Sequence, residues 1–386
     1  LVELLITDLS NSGEGVGRFE NKIYFVTGAV PGDKVLIRVL RAKKNFSVAE
    51  IIEIKEPSPF RIQPQCPHFG ICGGCDWQSL STTDQREWKT KNLRQTLKRI
   101  GGISTPNIQP ILFGSKEYFY RNRIRGIIKN GQFHFSKKKS AKKIHIEQCH
   151  IALEEINQVL LGSEIKNHSG PVEIGVLKEK TYILPVNSER TTEAGFRQVN
   201  SEMIDPMMEF LFSIVDSNCD HILELYCGSG TWTRPLAKKF PNINVVGVDI
   251  NSANIKKARE SKNPANLKFI LGDAKENWPC EVQSHVHLLV DPPRAGLSEA
   301  VIELIKEKRP TTLSYISCHP ATLARDLSSL LKQGYTLEAT QPIDMFPQTR
   351  HLETRNDSRP LISHRLTFYL YFHLLPGLER KQTNGF

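Results

Sequence analysis

The sequence predicts an α/β protein whose C-terminal half is a doubly wound, Rossmann-like parallel sheet, preceded by a small β-barrel and a mixed α+β unit. Three features of the chain carry this prediction. Five apolar runs of strand length, Ile222–Tyr226, Asn244–Asp249, Leu267–Leu271, His287–Asp291 and Leu313–Ser317, alternate with helical stretches at Thr233–Phe240, Ala253–Ser261, Glu299–Lys308 and Thr322–Gln333. Strands buried on both faces read as such runs, and their alternation with helices is the βαβ pattern. A glycine turn, Cys227-Gly228-Ser229-Gly230-Thr231, follows the first run, where doubly wound sheets open onto a ligand. The N-terminal residues, by contrast, carry only short alternating runs punctuated by turn residues.

In chain order, residues 1–57 form an all-β unit. Alternation at Leu4–Ile6, Ile23–Val26, Val35–Val39 and Ala49–Ile54 is broken by turn signals at Asn11–Gly17, Val30–Asp33 and Ala42–Asn45. Four or five short strands so spaced fit a barrel of the oligonucleotide-binding type, which Glu56-Pro-Ser-Pro ends. Residues 58–185 form the second unit, with three cysteines, a polar helix over Thr83–Ile100, a strand at Phe133–Phe135 and a basic stretch. Part of 80–112 is free to pack on the third unit, 186–386, which holds the doubly wound sheet. No internal repeat or long low-complexity segment interrupts this order.

The net charge of +10 and pI near 9.1 favour an anionic partner, and Lys and Arg crowd at Arg41–Lys44 and between Tyr120 and His145. A single such run is usually a solvated loop; two runs on a basic chain point to nucleic acid. No apolar run nears the roughly 20 residues that span a bilayer, and Leu366–Leu375, the longest candidate, is short and mixed. A cytosolic monomer, with no membrane partner, is expected. There the eight cysteines should not pair as disulfides. Cys66, Cys72 and Cys75, closed by the distant Cys149, read instead as four soft ligands for structural zinc or an iron–sulfur cluster.

The turn at Gly228 and Gly230 lacks the third glycine of a dinucleotide site. Acidic residues at strand ends, Glu224, Asp249, Asp273 and Asp291, suit S-adenosylmethionine, a sulfonium cation without phosphates, better than a nicotinamide cofactor. Asp291-Pro-Pro-Arg294 has Arg where amino-methylating enzymes place a base-stacking aromatic residue, which argues against amino methylation. A lone cysteine is usually a small buried hydrophobe, but Cys318 ends the fifth run beside Pro320 and a helix start at Ala321–Thr322. A helix N-terminus should lower its pKa and favour the thiolate. A methyltransferase needs a thiolate to activate carbon 5 of uracil, a poor nucleophile until sulfur adds to carbon 6. A base must then take the carbon 5 proton, and Glu353 is the candidate, although an acidic residue there also suits a surface loop.

Over nearly its whole length the chain resembles the RNA (uracil-5-)-methyltransferases, most closely the iron–sulfur members that act on 23S ribosomal RNA. Glu14-Gly-Val-Gly-Arg18 and Val30-Pro-Gly-Asp33 resemble the family's TRAM domain, and Ser317-Cys-His-Pro-Ala-Thr-Leu-Ala-Arg-Asp326 its nucleophile signature. The resemblance implies a class I methyltransferase fold and a 4Fe-4S cluster on Cys66, Cys72, Cys75 and Cys149. It implies Cys318 as nucleophile, Glu353 as base, and a cofactor site at Gln198, Tyr226, Gly228, Gly230, Thr231, Asp249, Asp273 and Asp291. RNA is the implied partner, with Arg121, Arg123 and Arg125 as contacts. A tRNA enzyme of the same chemistry is the alternative, and an inactive RNA-binding assembly factor a further one. The chain departs from the family at His319 and Thr231, each in place of a usual Asn. It departs again after Thr354, where Arg355–Pro360 intervenes before an unexpected tail in which Leu366–Leu375 might supply the missing strand.

Overall fold

The computed structural model describes residues 1–186, 198–279 and 285–360. Strands β1 (Val2–Leu9), β2 (Gly15–Phe19), β3 (Lys22–Thr27), β4 (Lys34–Ala42) and β5 (Phe46–Glu56) close into a barrel in the order β1-β2-β3-β5-β4. Leu4 and Ile6 of β1 point inward while Glu3, Leu5 and Thr7 face out, the period of two that a pleated strand imposes; an irregularity after Ile6 shifts the phase, and Leu9 is buried with Trp77 and Leu80 instead. The stretch Asn11–Gly17 is only partly a turn, since β2 starts at Gly15. Gly13, at φ 91°, is a turn residue, but Gly15 and Gly17 are there for close approach: a Cβ on Gly17 would lie 2.6 Å from the Leu5 carbonyl oxygen.

Asp33 seals the barrel floor. Its buried carboxylate accepts from the amides of Val30 (2.8 Å) and Ser58 (2.9 Å) and from Arg61 Nε (3.0 Å). Burial pushes its pKa up, but the hydrogen bonds from Arg61, Val30 and Ser58 outweigh it and hold the group below its ordinary 3.8. The stabilisation is therefore complete above that value and is lost as pH falls through the lowered one. Asp33→Ala strands Arg61 and two amides; we expect a loss of about 3 kcal/mol, read by urea unfolding at neutral pH and shrinking in acid.

Helix α1 (Thr82–Arg99) and the short β6 (Leu112–Phe113) come next, then β7 (Arg123–Lys129), β8 (Gln132–Ser136), β9 (Lys143–His145), helix α2 (Glu154–Leu161), β10 (Gly170–Leu177) and β11 (Lys180–Pro185). The last five strands form a sheet in the order β11-β10-β7-β8-β9. Ile156 and Leu160 of α2 cover its inner face, over Ile124, Phe133 and Ile174.

The third unit holds α3 (Ile204–Ile214), β12 (His221–Leu225), α4 (Thr233–Lys239), β13 (Asn244–Asp249), α5 (Ser252–Glu260), β14 (Leu267–Leu271), β15 (Val286–Val290), α6 (Glu299–Lys308), β16 (Thr312–Ser317), α7 (Pro320–Lys332), β17 (Tyr335–Asp344) and β18 (Glu353–Pro360). Its seven strands and β6 form one sheet in the order β14-β13-β12-β15-β16-β18-β17-β6, with β12 to β16 mutually parallel. Two apolar cores, one on each face, bury these strands under the helices.

Residues 355–360 do not interrupt the pattern but are themselves the strand: β18 lies antiparallel between β16 and β17, pairing Leu313 with Ser358 and Gln341 with Arg355. Backbone pairing on both sides stabilises a sequence, Glu-Thr-Arg-Asn-Asp-Ser-Arg-Pro, that carries no strand signal of its own. Leu366–Leu375 lies outside the described residues.

Helix α1 belongs physically to this sheet. Its Leu93 and Leu97 sit in one core with Leu323 and Leu327 of α7. Its fully buried Lys89 donates to Asp344 (2.6 Å) and to the Phe346 carbonyl (3.0 Å). No helix among the described residues is long and apolar enough to cross a membrane.

Candidate active site

Cys318 follows β16 at the carboxyl edge of the sheet, and Glu353 opens β18 beside it. The antiparallel register makes them neighbours: Ser317 pairs with Thr354, whose hydroxyl donates to the Ser317 carbonyl at 3.4 Å. Glu353 is buried and Cys318 half-buried. The expectation of a lowered thiol pKa is corrected here. Burial pushes the Cys318 thiol up, the Glu353 and Asp291 carboxylates push it further, and Arg294 only partly opposes them. The helix N-terminus does not prevail, because the site is shielded from water and two acids face the sulfur.

His319, where the family usually has Asn, caps α7: its ring Nδ1 accepts from the Thr322 amide at 3.4 Å, and Pro320 fills the first turn. Burial and Arg294 lower its pKa, which keeps the ring neutral and able to accept. The polar substitution thus preserves the cap. Cys318, His319, Arg294, His351 and Asn92 line a crevice of about 270 Å³ that also touches Asn11 and Ser12 of the barrel. This is below the roughly 300–1,000 Å³ of drug-sized sites and of a scale that suits one heterocyclic ring. His351 is held neutral, its pKa lowered to about 4 by burial, Arg350 and Arg294.

Along the same edge, Tyr226, Gly228 and Gly230 adopt left-handed φ values of 66°, 56° and 85°. Asp249 fastens the turn, accepting from the Gly228 and Asn251 amides, each at 2.8 Å. Asp291 accepts from Trp232 Nε1 at 2.9 Å, and Thr231 lies half-buried beside that tryptophan. Asp273 is partly exposed and binds the Lys275 amide at 3.1 Å. It faces Tyr226, whose phenol is pushed up to about 12 by burial and then by Asp273. Glu224 is not at the edge: it is fully buried and accepts from Thr233 Oγ1 at the start of α4.

Gln198 is buried, its carbonyl accepting from Asn122 Nδ2 at 2.9 Å, while Phe196 and Arg197 lie outside the described residues. The Asn200 side chain donates to the Met345 carbonyl at 3.4 Å and ties this segment to the loop before β18. A Cβ on Gly230 would fall 2.6 Å from the Phe269 ring in a backbone conformation L-residues resist. Gly230→Ala should therefore weaken S-adenosylhomocysteine binding about tenfold or more, as measured by calorimetry, with the barrel untouched.

Cys66, Cys72, Cys75 and Cys149 line one cavity of about 1000 Å³ together with Arg121, Arg123 and Arg125. Burial raises the thiols of Cys72, to about 11, Cys75 and Cys149, and the neighbouring sulfurs raise them further. Among the described residues no three His, Cys, Asp or Glu side chains draw together closely enough to hold a metal ion. Arg121 Nε donates to the Arg123 carbonyl (3.1 Å), and Arg125 Nε to Glu173 (2.7 Å). The cysteines are distant in sequence from the sheet's carboxyl edge but not in space, since Asn251 and Asn254, just past Asp249, line the same cavity.

The family model for tRNA (uracil-5-)-methyltransferase matches residues 280–356, a methyltransferase domain matches 222–291 and a TRAM domain 1–52. An uncharacterized RNA methyltransferase of Bdellovibrio bacteriovorus is 31% identical over 367 residues, covering 92% of this chain and 93% of its own. The 23S rRNA (uracil(1939)-C(5))-methyltransferase RlmD of Aliivibrio fischeri is 30% identical over 414 residues, covering 90% and 94%. The chain belongs to the RNA (uracil-5-)-methyltransferase family. It is an S-adenosylmethionine-dependent enzyme of the class I fold. The Pyrococcus abyssi tRNA (uracil-54, C5)-methyltransferase, solved with S-adenosyl-L-homocysteine, superposes with a TM-score of 0.68 at 22% identity, covering 92% of this chain and all of its own, a likeness of fold.

In this RNA (uracil-5-)-methyltransferase, sequence reasoning missed Trp232, Lys89, Arg350 and His351. Trp232 was findable, since it follows the glycine turn directly. Arg350 and His351 stand just before Glu353 in the chain, and only Lys89 meets the site through tertiary packing alone.

Proposed function

We propose that the enzyme methylates carbon 5 of a uridine in 23S ribosomal RNA through a covalent bond between Cys318 and carbon 6 of the base. The observation that carries this reading is the pairing of β16 with β18, which sets a thiol and a buried carboxylate side by side. In this reading Cys318 loses its proton to solvent and its thiolate adds to carbon 6, so that the electron pair displaced toward the 4-carbonyl makes carbon 5 nucleophilic. S-adenosylmethionine, when bound, supplies an electrophilic methyl group. Glu353 then takes the carbon 5 proton, the ring double bond re-forms, and the sulfur leaves carbon 6 with its bonding pair. The target base must leave its stack to meet Cys318, and the crevice is of a size to receive it.

We assign Gln198, Tyr226, Gly228, Gly230, Thr231, Asp249, Asp273 and Asp291 to the cofactor. The positive-φ turn and the acidic strand ends support this, because they offer backbone approach and carboxylates to a cationic ligand. To Cys66, Cys72, Cys75 and Cys149 we assign a 4Fe-4S cluster in a structural role. Four soft donors around one cavity far larger than a single ion fit a polynuclear group. The units 1–57, 58–185 and 186–386 then divide the work into RNA grip, cluster and catalysis, and we assign Arg121, Arg123 and Arg125, which line the cysteine cavity, to RNA contact.

Methyl transfer from labelled S-adenosylmethionine to 23S fragments and to tRNA transcripts tests the substrate. Label on 5-methyluridine in the 23S fragment is expected; label on tRNA alone would overturn the rRNA reading. Anaerobically purified protein should be brown, with iron and sulfide in equal amounts, and stoichiometric zinc would overturn the cluster.

A further inference from the structure

The cysteine turn grips the loop that delivers Glu353. Immediately after Cys75, the amides of Asp76 and Trp77 both donate to the Gln348 carbonyl at 3.1 Å. The buried Asp76 carboxylate accepts from Arg350 Nη1 at 2.9 Å and lies 3.4 Å from Lys138 Nζ. Gln85 of α1 closes the grip, accepting from the Gln348 amide (2.8 Å) and donating to the Gln348 side chain and the Trp77 carbonyl (3.0 Å each). Gln348 is held at φ 68°, a left-handed conformation that costs a non-glycine residue energy and persists only where surrounding bonds over-determine it. Arg350 stands three residues before Glu353.

We propose that Asp76 is a positioning residue for Glu353, holding the loop through Arg350 so that the carboxylate reaches the carbon 5 proton. The inference rests on reading Glu353 as the base, and it is independent of what the cysteines bind. Adding Cys318 to carbon 6 and moving the methyl group require nothing of Glu353. Only the last step does: the carboxylate takes the carbon 5 proton, the C–H pair forms the C5=C6 bond, and the C6–S pair returns to the Cys318 sulfur. Proton transfer needs hydrogen-bond reach, and a misplacement of about 1 Å costs on the order of 10²-fold. A slackened clamp should therefore let the adduct form and delay its release.

The test is rapid-quench analysis of Asp76→Asn, Arg350→Gln and the double variant on uridine-containing RNA. Methylated adduct should form at a rate within about twofold of the unmodified enzyme. Its breakdown should slow ~10- to 100-fold, so that a covalent enzyme–RNA band accumulates, with kcat and KM for RNA lowered together and kcat/KM nearly unchanged. The double variant should be no slower than the worse single one, since both break one contact. Breakdown at the normal rate, or equal slowing of formation and breakdown, would overturn the proposal. Should Asp76→Asn fail to fold, as judged by its melting transition, Arg350→Gln, partly exposed at 33%, carries the test alone. Failure of the unmodified enzyme to form any Cys318 adduct on 5-fluorouridine RNA would instead sink the reading of the site itself.

Discussion

Cys318→Ala is expected to lower methyl transfer to RNA by a factor on the order of 10³ or more, at least about 4 kcal/mol of activation free energy. Without sulfur on carbon 6, carbon 5 of uracil has no enolate character, and among the described residues no other thiol lines the crevice. Cys227, the other cysteine on this edge, is buried beneath the glycine turn, and burial drives its thiol far above the usual range. S-adenosylhomocysteine binding should survive the substitution, because the turn from Tyr226 to Thr231 is fastened by Asp249 and Trp232 by Asp291. Single-turnover methyl transfer beside a calorimetric titration checks both halves. Methylation within tenfold of the unmodified enzyme would remove Cys318 from the chemistry.

Glu353→Gln should have a different signature. Glutamine keeps the size of the side chain but accepts no proton, so the adduct should form and then persist. Turnover should drop about 10²- to 10⁴-fold, with enzyme and methylated RNA joined on a denaturing gel. Two features of the site favour this split. Glu353 is one of the groups that push the Cys318 thiol up, so removing its charge eases thiolate formation. Its backbone is fixed by pairing with Ile343 of β17, so the substitution leaves β18 in place. Equal loss of adduct formation and release would mean that Glu353 serves some role other than the base.

Much of this site is legible in the chain because buried parallel strands advertise themselves. The runs ending near Tyr226, Asp249, Asp291 and Ser317 are apolar enough to place their last residues on one edge. Strand β18 is not legible, because a strand paired on both sides needs no apolar signature. A reader of Arg355–Pro360 sees a polar loop where the fold has the strand that brings Glu353 to Cys318. The glycines of β2 mislead for the opposite reason, serving close packing where they suggest a turn. The Cys318 environment also escapes the sequence: a helix N-terminus is visible there, but burial and two facing carboxylates are not. Least visible is the clamp, whose partners Asp76 and Arg350 lie 274 positions apart.

The proposed chemistry requires a covalent bond between Cys318 and the target base. The decisive measurement is mass-spectrometric mapping of the complex formed with S-adenosylmethionine and 23S fragments carrying 5-fluorouridine. Fluorine cannot leave as a proton does, so the adduct should persist through denaturation, and digestion should place a methylated, fluorinated nucleotide on the peptide containing Cys318. An absent adduct, one on another residue, or one that survives Cys318→Ala would contradict the account.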